Sequence, residues 1–164
     1  MQPKIINAER KVSFSLNDDY MASLLGNIES AGIIQYHHLL VIYGPDREPC
    51  LFIGAEWSLH DPSYKNEPVL GVFSGEAHES WEGSSDLVDD ALFVLKAFSI
   101  AREILQIENT ELAEGEAWAM AQVLKRFQDA ENPLYAPHIE GYTQALRCND
   151  LRMVAYLQKG IPAC

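Results

Sequence analysis

Three short apolar runs joined by short polar connections limit the fold of this chain more than any other feature. Residues 33–43, 50–57 and 69–73 are rich in β-branched and aromatic side chains and have the length of strands. Residues 44–47 have the composition of a turn, and residues 58–68 are polar and contain two prolines. Because parallel strands need a crossover of about a dozen residues or more, these connections predict a mostly antiparallel sheet.

The segment before these runs predicts one strand and one helix. Residues 11–16 alternate apolar and polar side chains, which is typical of a half-buried strand. The Asn-Asp-Asp sequence at 17–19 predicts the cap of a helix that extends to Ser30, with Gly32 as its stop. The apolar face of that helix would consist of Met21, Leu24, Leu25 and Ile28.

The second half of the chain predicts helices. A serine pair and Asp86 would cap the first of them, whose apolar side chains fall on one broad face. The turn at Asn149 and Asp150 separates the last two, and Gly160 closes the final one. The predicted helices span residues 84–107, 109–130, 138–147 and 150–159.

Together these elements predict an α+β fold with a mostly antiparallel sheet of about four strands, covered by a long helix and followed by additional C-terminal helices. A chain of 164 residues is long enough to bury a substantial core. No linker-like stretch is long enough to separate two domains. We therefore expect a single domain over residues 1–164, with an α+β core at 11–107 and the helices of 109–164 packed on it.

One stretch of the predicted C-terminal helices resembles a known repeat. Residues 141–146 carry a Gly and a Thr before the first helix, residues 149–157 form a polar turn and an apolar second helix, and residues 159–162 close with Gly and Pro. This order is similar to a single ankyrin unit, although the Pro-Leu-His start of that family is missing. Because one such unit cannot bury its own apolar face, the resemblance implies a helical hairpin docked on the rest of the domain.

The charge of the chain excludes several classes of partner. The sequence has 24 Asp and Glu against 12 Lys and Arg, a net charge of −12. Such a surface repels nucleic acid and anionic membranes at long range. No apolar run is long enough to cross a bilayer, the start lacks the pattern of a signal peptide, and three cysteines without a close pair favour a reducing compartment. We expect a soluble cytoplasmic protein without a cofactor.

Two stretches of the sequence, residues 66–95 and 103–124, contain acidic residues but no Lys or Arg. Acidic side chains at helix starts complement the helix dipole, but this purpose does not require two long stretches without a base. An acidic field of this kind speeds the association of cationic partners. Trp81 and Trp118 lie within the two stretches. Each could be a buried core residue or the aromatic anchor of an interface.

These observations predict a partner-binding surface between residues 71 and 105. Trp81 would be its anchor, and His78 would donate a hydrogen bond to the partner. The surrounding charged residues would be Glu76, Glu79, Glu82, Asp86, Asp89 and Asp90. If the chain is a binding protein of this kind, we expect no catalytic residues and no bound metal.

In size, in acidic charge and in the absence of catalytic motifs, the whole chain resembles the small immunity proteins of bacterial toxin systems. Members of that class bind a cognate toxin and block its active site. The resemblance implies a non-enzymatic protein that neutralises or holds a basic protein partner.

Two alternatives use other residues. A metal-dependent enzyme or metal-binding protein could use histidine and acidic side chains of two neighbouring loops. Its ligands would be drawn from His60, Asp61, Glu76, His78 and Glu79. A helical-tail adaptor would instead dock its partner through the C-terminal helices. In the strand at 33–43, alternation predicts that the rings of His37 and His38 point to opposite faces and cannot share one ion.

Overall fold

The computed structural model of the protein describes residues 2–107 and 114–130, with side chains described up to residue 126. This part contains a six-stranded sheet followed by two helices. The strands are β1 (Ile5–Ser15), β2 (Met21–Ser30), β3 (Ile34–Tyr43), β4 (Pro49–Ser58), β5 (Val69–Ser74) and β6 (Ala77–Trp81). Each strand pairs antiparallel with the one before it, so the order in the sheet is the order in the chain.

The predicted antiparallel α+β arrangement is confirmed, and the sheet has more strands than the four expected. The three apolar runs become β3, β4 and β5, with boundaries that differ from the prediction by one residue. The connection at 58–68 contains a short 3₁₀ turn at Pro62–Lys65. A meander of this kind needs only short connections, which is why the spacing of the apolar runs identified it.

The helix predicted for residues 17–30 is wrong, because this segment forms a turn and then strand β2. Asn17 does act as a cap, but its side chain accepts the amides of Asp19 and Tyr20 in a tight turn between β1 and β2. Along β2, Leu24 faces one apolar cluster and Leu25 the other. Because both faces of the strand contact apolar side chains, the period-2 alternation is lost and the spacing mimics a helix.

Strand β6 occupies a stretch that its polar composition had assigned to a loop. It pairs with β5 through residues from Ala77 to Trp81. All of its residues except Trp81 are exposed. An edge strand has little side chain to bury, so its sequence lacks the apolar signal of a strand.

Two helices follow the sheet. The predicted helix at 84–107 is present as a 3₁₀ turn, Ser85–Val88, followed by α1 (Asp90–Leu105), with Asp89 as the N-cap of α1. Helix α2 (Glu114–Ala130) lies within the second predicted helix. The two short helices at 138–147 and 150–159, with their ankyrin-like pattern, lie outside the described residues.

The sheet separates two apolar clusters of different size. The larger one lies between the sheet and the helices, where Phe93 and Phe98 of α1 pack on buried residues of β1 to β5. The smaller one lies on the opposite side of the sheet, which we call the second face. It consists of Tyr36, Leu39, Val41 and Phe73, with partly buried apolar neighbours. The second face is where the sheet meets solvent without a helical cover in the described part of the chain.

Candidate functional site

The residues predicted to form one binding surface are divided between the two faces of the sheet. His78 pairs with Phe73 and lies on the second face, where the two rings stack at 4.1 Å. Glu79 and Trp81 pair with Val72 and Leu70, both of which belong to the helix-side core. Alternation along a strand therefore separates His78 from Glu79 and Trp81.

Both tryptophans of the acidic stretches pack on the helix-side core. Trp81 is partly buried against this core at the end of β6. Trp118, on α2, also packs on the core, and its ring lies 5.4 Å from the ring of Phe14. Each indole therefore contributes to packing within the chain, and Trp81 is in addition next to the exposed residues of β6.

Asp89 and Asp90 are engaged in contacts that join the two helices. The Arg126 guanidinium lies 3.0 Å from both carboxylate oxygens of Asp89 and 2.7 Å from Oδ1 of Asp90. Asp89 also accepts the amide of Leu92 as the cap of α1. Burial opposes ionisation of Asp90, but Arg126 and Lys11 outweigh it and lower the pKa of this carboxyl. These two acids are balanced within the fold and are poor candidates for steering a partner.

Asp86 lies in the 3₁₀ turn before α1, where its backbone amide donates to the Ser84 hydroxyl. Glu76, Glu79 and Glu82 remain exposed and follow one another along β6 and its flanking turns. We call these three residues the acidic edge. In the described part of the chain β6 pairs only with β5, so the acidic edge lies beside an outer strand of the sheet.

A pair of ionisable residues that sequence analysis missed lies on the second face. Glu56 of β4 is only 4% exposed, although it carries a carboxyl group. His78 Nε2 donates to this carboxyl, at 3.1 Å from Oε1 and 3.2 Å from Oε2, and Ser80 supplies a further side-chain hydrogen bond. The side chain of His78 is 27% exposed, so it stands between the buried carboxyl and solvent.

Two glycines make space for this arrangement. A β-carbon added to Gly71 would lie 2.0 Å from Glu56 Oε2, so the carboxyl rests directly on the backbone of β5. A β-carbon on Gly54 would lie 2.6 Å from a ring carbon of Tyr36. The Tyr36 and Glu56 side chains are therefore seated over glycine positions of neighbouring strands, which allows both to lie close to the sheet.

The environment of this pair favours proton uptake by the carboxyl. Burial raises the pKa of Glu56, and the hydrogen bonds from His78 and Ser80 offset that effect only in part. Burial, and next the nearby Glu56 carboxyl, raise the pKa of Tyr36 well above its usual value. Tyr36 therefore stays a neutral phenol.

Two clefts flank the Glu56–His78 pair. The first, of about 200 Å³, lies between the start of the chain, residues 30–34 and the exposed side of His78. The second, of about 300 Å³, lies beside the 58–68 connection, and we call it the loop cleft. The loop cleft is lined by Ile34, Glu56, Trp57, Ser58, Asp61, Tyr64, Val69 and Ser80. Glu56 thus lines a cleft on one side and is screened by His78 on the other.

A signal for Glu56 was present in the sequence. It is the lone acidic residue in the apolar run 50–57, where a charged side chain is out of place unless it is paired. Its partner could not be found, because His78 lies in a stretch that was not recognised as a strand. Pairing of β4, β5 and β6 is what brings the two side chains together.

The alternative metal site of His60, Asp61, Glu76, His78 and Glu79 is not assembled in the described part of the chain. Among residues 2–107 and 114–126, no group of three or more His, Cys, Asp or Glu side chains is placed to hold an ion. His78 is turned to Glu56, and Glu79 lies on the other face of the sheet. Asp61 lies on the loop cleft.

His37 and His38 depart from the prediction of opposite faces. The register of β3 against β4 shifts between Tyr36 and Leu39, and the two imidazole rings lie only 6.3 Å apart. A bulge of this kind turns neighbouring side chains to the same side. His38 is buried, donates to the Val88 carbonyl, and has a pKa lowered by burial. It therefore helps to fix the start of α1 as a neutral residue.

No family model matches the chain, and neither the curated proteins nor the solved structures contain a significantly similar one. Within the described ranges, neither helix has the length and apolar character needed to cross a membrane.

Proposed function

We propose that this protein is a non-enzymatic binding protein that holds a basic protein partner against the acidic edge. The observation that carries the proposal is the placement of Glu76, Glu79 and Glu82, which are exposed beside an outer strand. Residues 66–95, which include all three, contain no Lys or Arg. A surface of one sign attracts partners of the opposite sign and speeds their encounter.

The proposed surface is smaller than the one expected from the sequence. Asp89 and Asp90 are left out, because Arg126 contacts both of them and Lys11 contacts Asp90. His78 is better assigned to the second face, where it contacts Glu56. Trp81 stays in the proposal as a partly buried side chain at the end of β6.

The overall character still resembles that of immunity proteins of bacterial toxin systems. An α+β protein with a strongly acidic chain suits an inhibitor of a basic enzyme. We therefore propose that the partner is a toxin or effector whose basic active-site surface is blocked by the acidic edge.

Capture from a lysate of the source organism, with charge-reversed variants, tests this proposal. Wild-type protein should retain one basic protein at low salt and release it at high salt. The E79K/E82K variant should lose that protein. The D18K/E29K variant changes the net charge by the same amount, but at exposed positions near the β1–β2 side of the sheet, so it should still retain the partner. Equal recovery with both variants would refute the acidic edge as the binding surface.

A further inference from the structure

The loop cleft is a depression enclosed by protein, whereas the acidic edge consists of exposed side chains along a strand. Strands β4, β5 and β6 form the floor, and the 58–68 connection with its 3₁₀ turn forms one wall. Two carboxylates line it, Glu56 at the buried end and Asp61 at the exposed end. No Lys, Arg or His is among its lining residues.

The carboxyl of Glu56 has acceptor capacity left over. A cation in the cleft would favour the ionised form of Glu56, and an ionised carboxylate offers about four lone-pair positions. In the described part of the chain, His78 and Ser80 occupy two of them. The remaining positions belong to a group that is only 4% exposed and that lines the loop cleft. Bulk water therefore satisfies this carboxylate poorly, and a donor that enters the cleft would improve its hydrogen bonding.

We propose that the loop cleft receives one cationic side chain, a lysine or an arginine, from the bound partner, with its charged end directed to Glu56 and Asp61. This inference rests on the proposed function, because it names the group by which a basic partner would be recognised. The exposed Tyr64 ring would contact the stem of the inserted side chain near the mouth of the cleft.

Size and charge both favour a single cationic side chain over other ligands. At about 300 Å³ the loop cleft is at the lower limit of clefts that hold small molecules, so it suits one side chain better than a cofactor. Two carboxylates without a basic neighbour in the lining repel phosphate and carboxylate ligands.

Small capped amino acids test the cleft without the partner. Backbone amide spectra of the full chain would be recorded while N-acetyl-arginine methylamide or N-acetyl-lysine methylamide is added. We expect saturable shifts at Glu56, Asp61, Tyr64 and Ser80. The neutral N-acetyl-norleucine methylamide has a similar stem and should produce no saturable shift. Shifts that do not saturate, or that norleucine reproduces, would overturn the proposal.

Matched variants assign the binding to the two carboxylates. E56Q and D61N should each weaken binding of the arginine probe at least about tenfold, the loss expected when a charge-assisted hydrogen bond is removed. E48Q removes one charge from the exposed turn between β3 and β4 and should leave the affinity unchanged. If E56Q fails to fold, D61N decides the matter, because Asp61 is exposed. Unchanged affinity in D61N and in a folded E56Q would contradict the proposal.

The two proposals fail in different ways. If the partner is captured through the acidic edge but the arginine probe does not bind, the partner docks without inserting a cation. If the probe binds the loop cleft but no basic protein depends on Glu79 and Glu82, the cation site is real and the proposed function is wrong.

Discussion

Glu56 places a carboxyl group at an almost fully buried position of the second face, where burial favours its protonated form. His78 and Ser80 compensate through hydrogen bonds, and Gly71 leaves the space in which the carboxyl rests. These residues contact one another only because β4, β5 and β6 are paired side by side in the sheet. The protonation of Glu56 and its close contact with Gly71 can therefore each be tested by substitution.

The pH dependence of stability follows from the raised pKa of Glu56. The folded protein keeps this proton over a pH range in which the unfolded chain, with a glutamate pKa of about 4.3, has lost it. The stability contributed by protonation is present below that value and is lost as the pH rises through the folded-state pKa. The free energy of unfolding of wild type minus that of E56Q should therefore fall as the pH rises from about 4 through the folded-state pKa of Glu56.

Urea unfolding at a series of pH values measures this difference, because the Gln side chain does not titrate and keeps the size of Glu. A difference that increases with pH would mean that the ion pair with His78 stabilises the ionised carboxyl by more than its burial costs.

Gly71→Ala tests the close approach of Glu56 to β5. The added methyl group would collide with the carboxyl, so we expect a loss of about 1–3 kcal/mol in the free energy of unfolding, as for other overpacked sites. Ser74→Ala at the exposed end of the same strand should change stability by less than about 0.5 kcal/mol. In an E56A background the cost of Gly71→Ala should shrink. An unchanged cost there would assign the effect to the backbone instead.

At the scale of elements, α1 and the strands β3, β4 and β5 could be predicted because the patterns of their apolar residues are regular. β3, β4 and β5 are continuous apolar runs bounded by turn residues, and α1 shows one broad apolar face. β2 was mistaken for a helix because apolar side chains lie on both of its faces. β6 was missed because an exposed edge strand has no apolar pattern to find.

The same limits explain which residues of the candidate site could be predicted from the sequence. The exposed acids of the acidic edge could be found from charge segregation alone, since that feature is written in the sequence. The Glu56–His78 pair depends on long-range strand pairing and on the register that places His78 beside Phe73. Sequence spacing carries no information about a contact between residues on two strands when one strand is not recognised.

Arg126 joins the two helices, and its substitution measures how much this contact contributes to the free energy of unfolding. Arg126→Ala leaves Asp89 and Asp90 partly buried without their cation, so we expect a loss of about 1–3 kcal/mol in the free energy of unfolding. The neighbouring, exposed Lys125→Ala should cost less than about 0.5 kcal/mol.

Acidification adds a second readout for the same variant. The lowered pKa of Asp90 contributes stability that is present above the unfolded pKa and is lost as the pH falls through the folded value. Arg126→Ala should therefore lose less stability on acidification than wild type does. Parallel acid unfolding curves for the two proteins would contradict this account of the ion pairs.

At the scale of the whole molecule, the two outer strands of the sheet carry different charge. β1 includes Glu9, Arg10 and Lys11, with Lys4 just before it, whereas the acidic edge along β6 has three acids and no base. Under the proposed function, a basic partner would approach the β6 side. This orientation is the feature on which the proposed function depends.

The most direct test of the proposed function is the association rate of the captured partner, measured at two ionic strengths. We predict that raising salt from about 20 to 200 mM slows association with the wild type by about tenfold or more. E79K/E82K should associate slowly at both salt concentrations, whereas D18K/E29K should keep most of the salt dependence. An association rate that is insensitive to salt, or equally reduced in both variants, would contradict the claim that the acidic edge holds a basic partner.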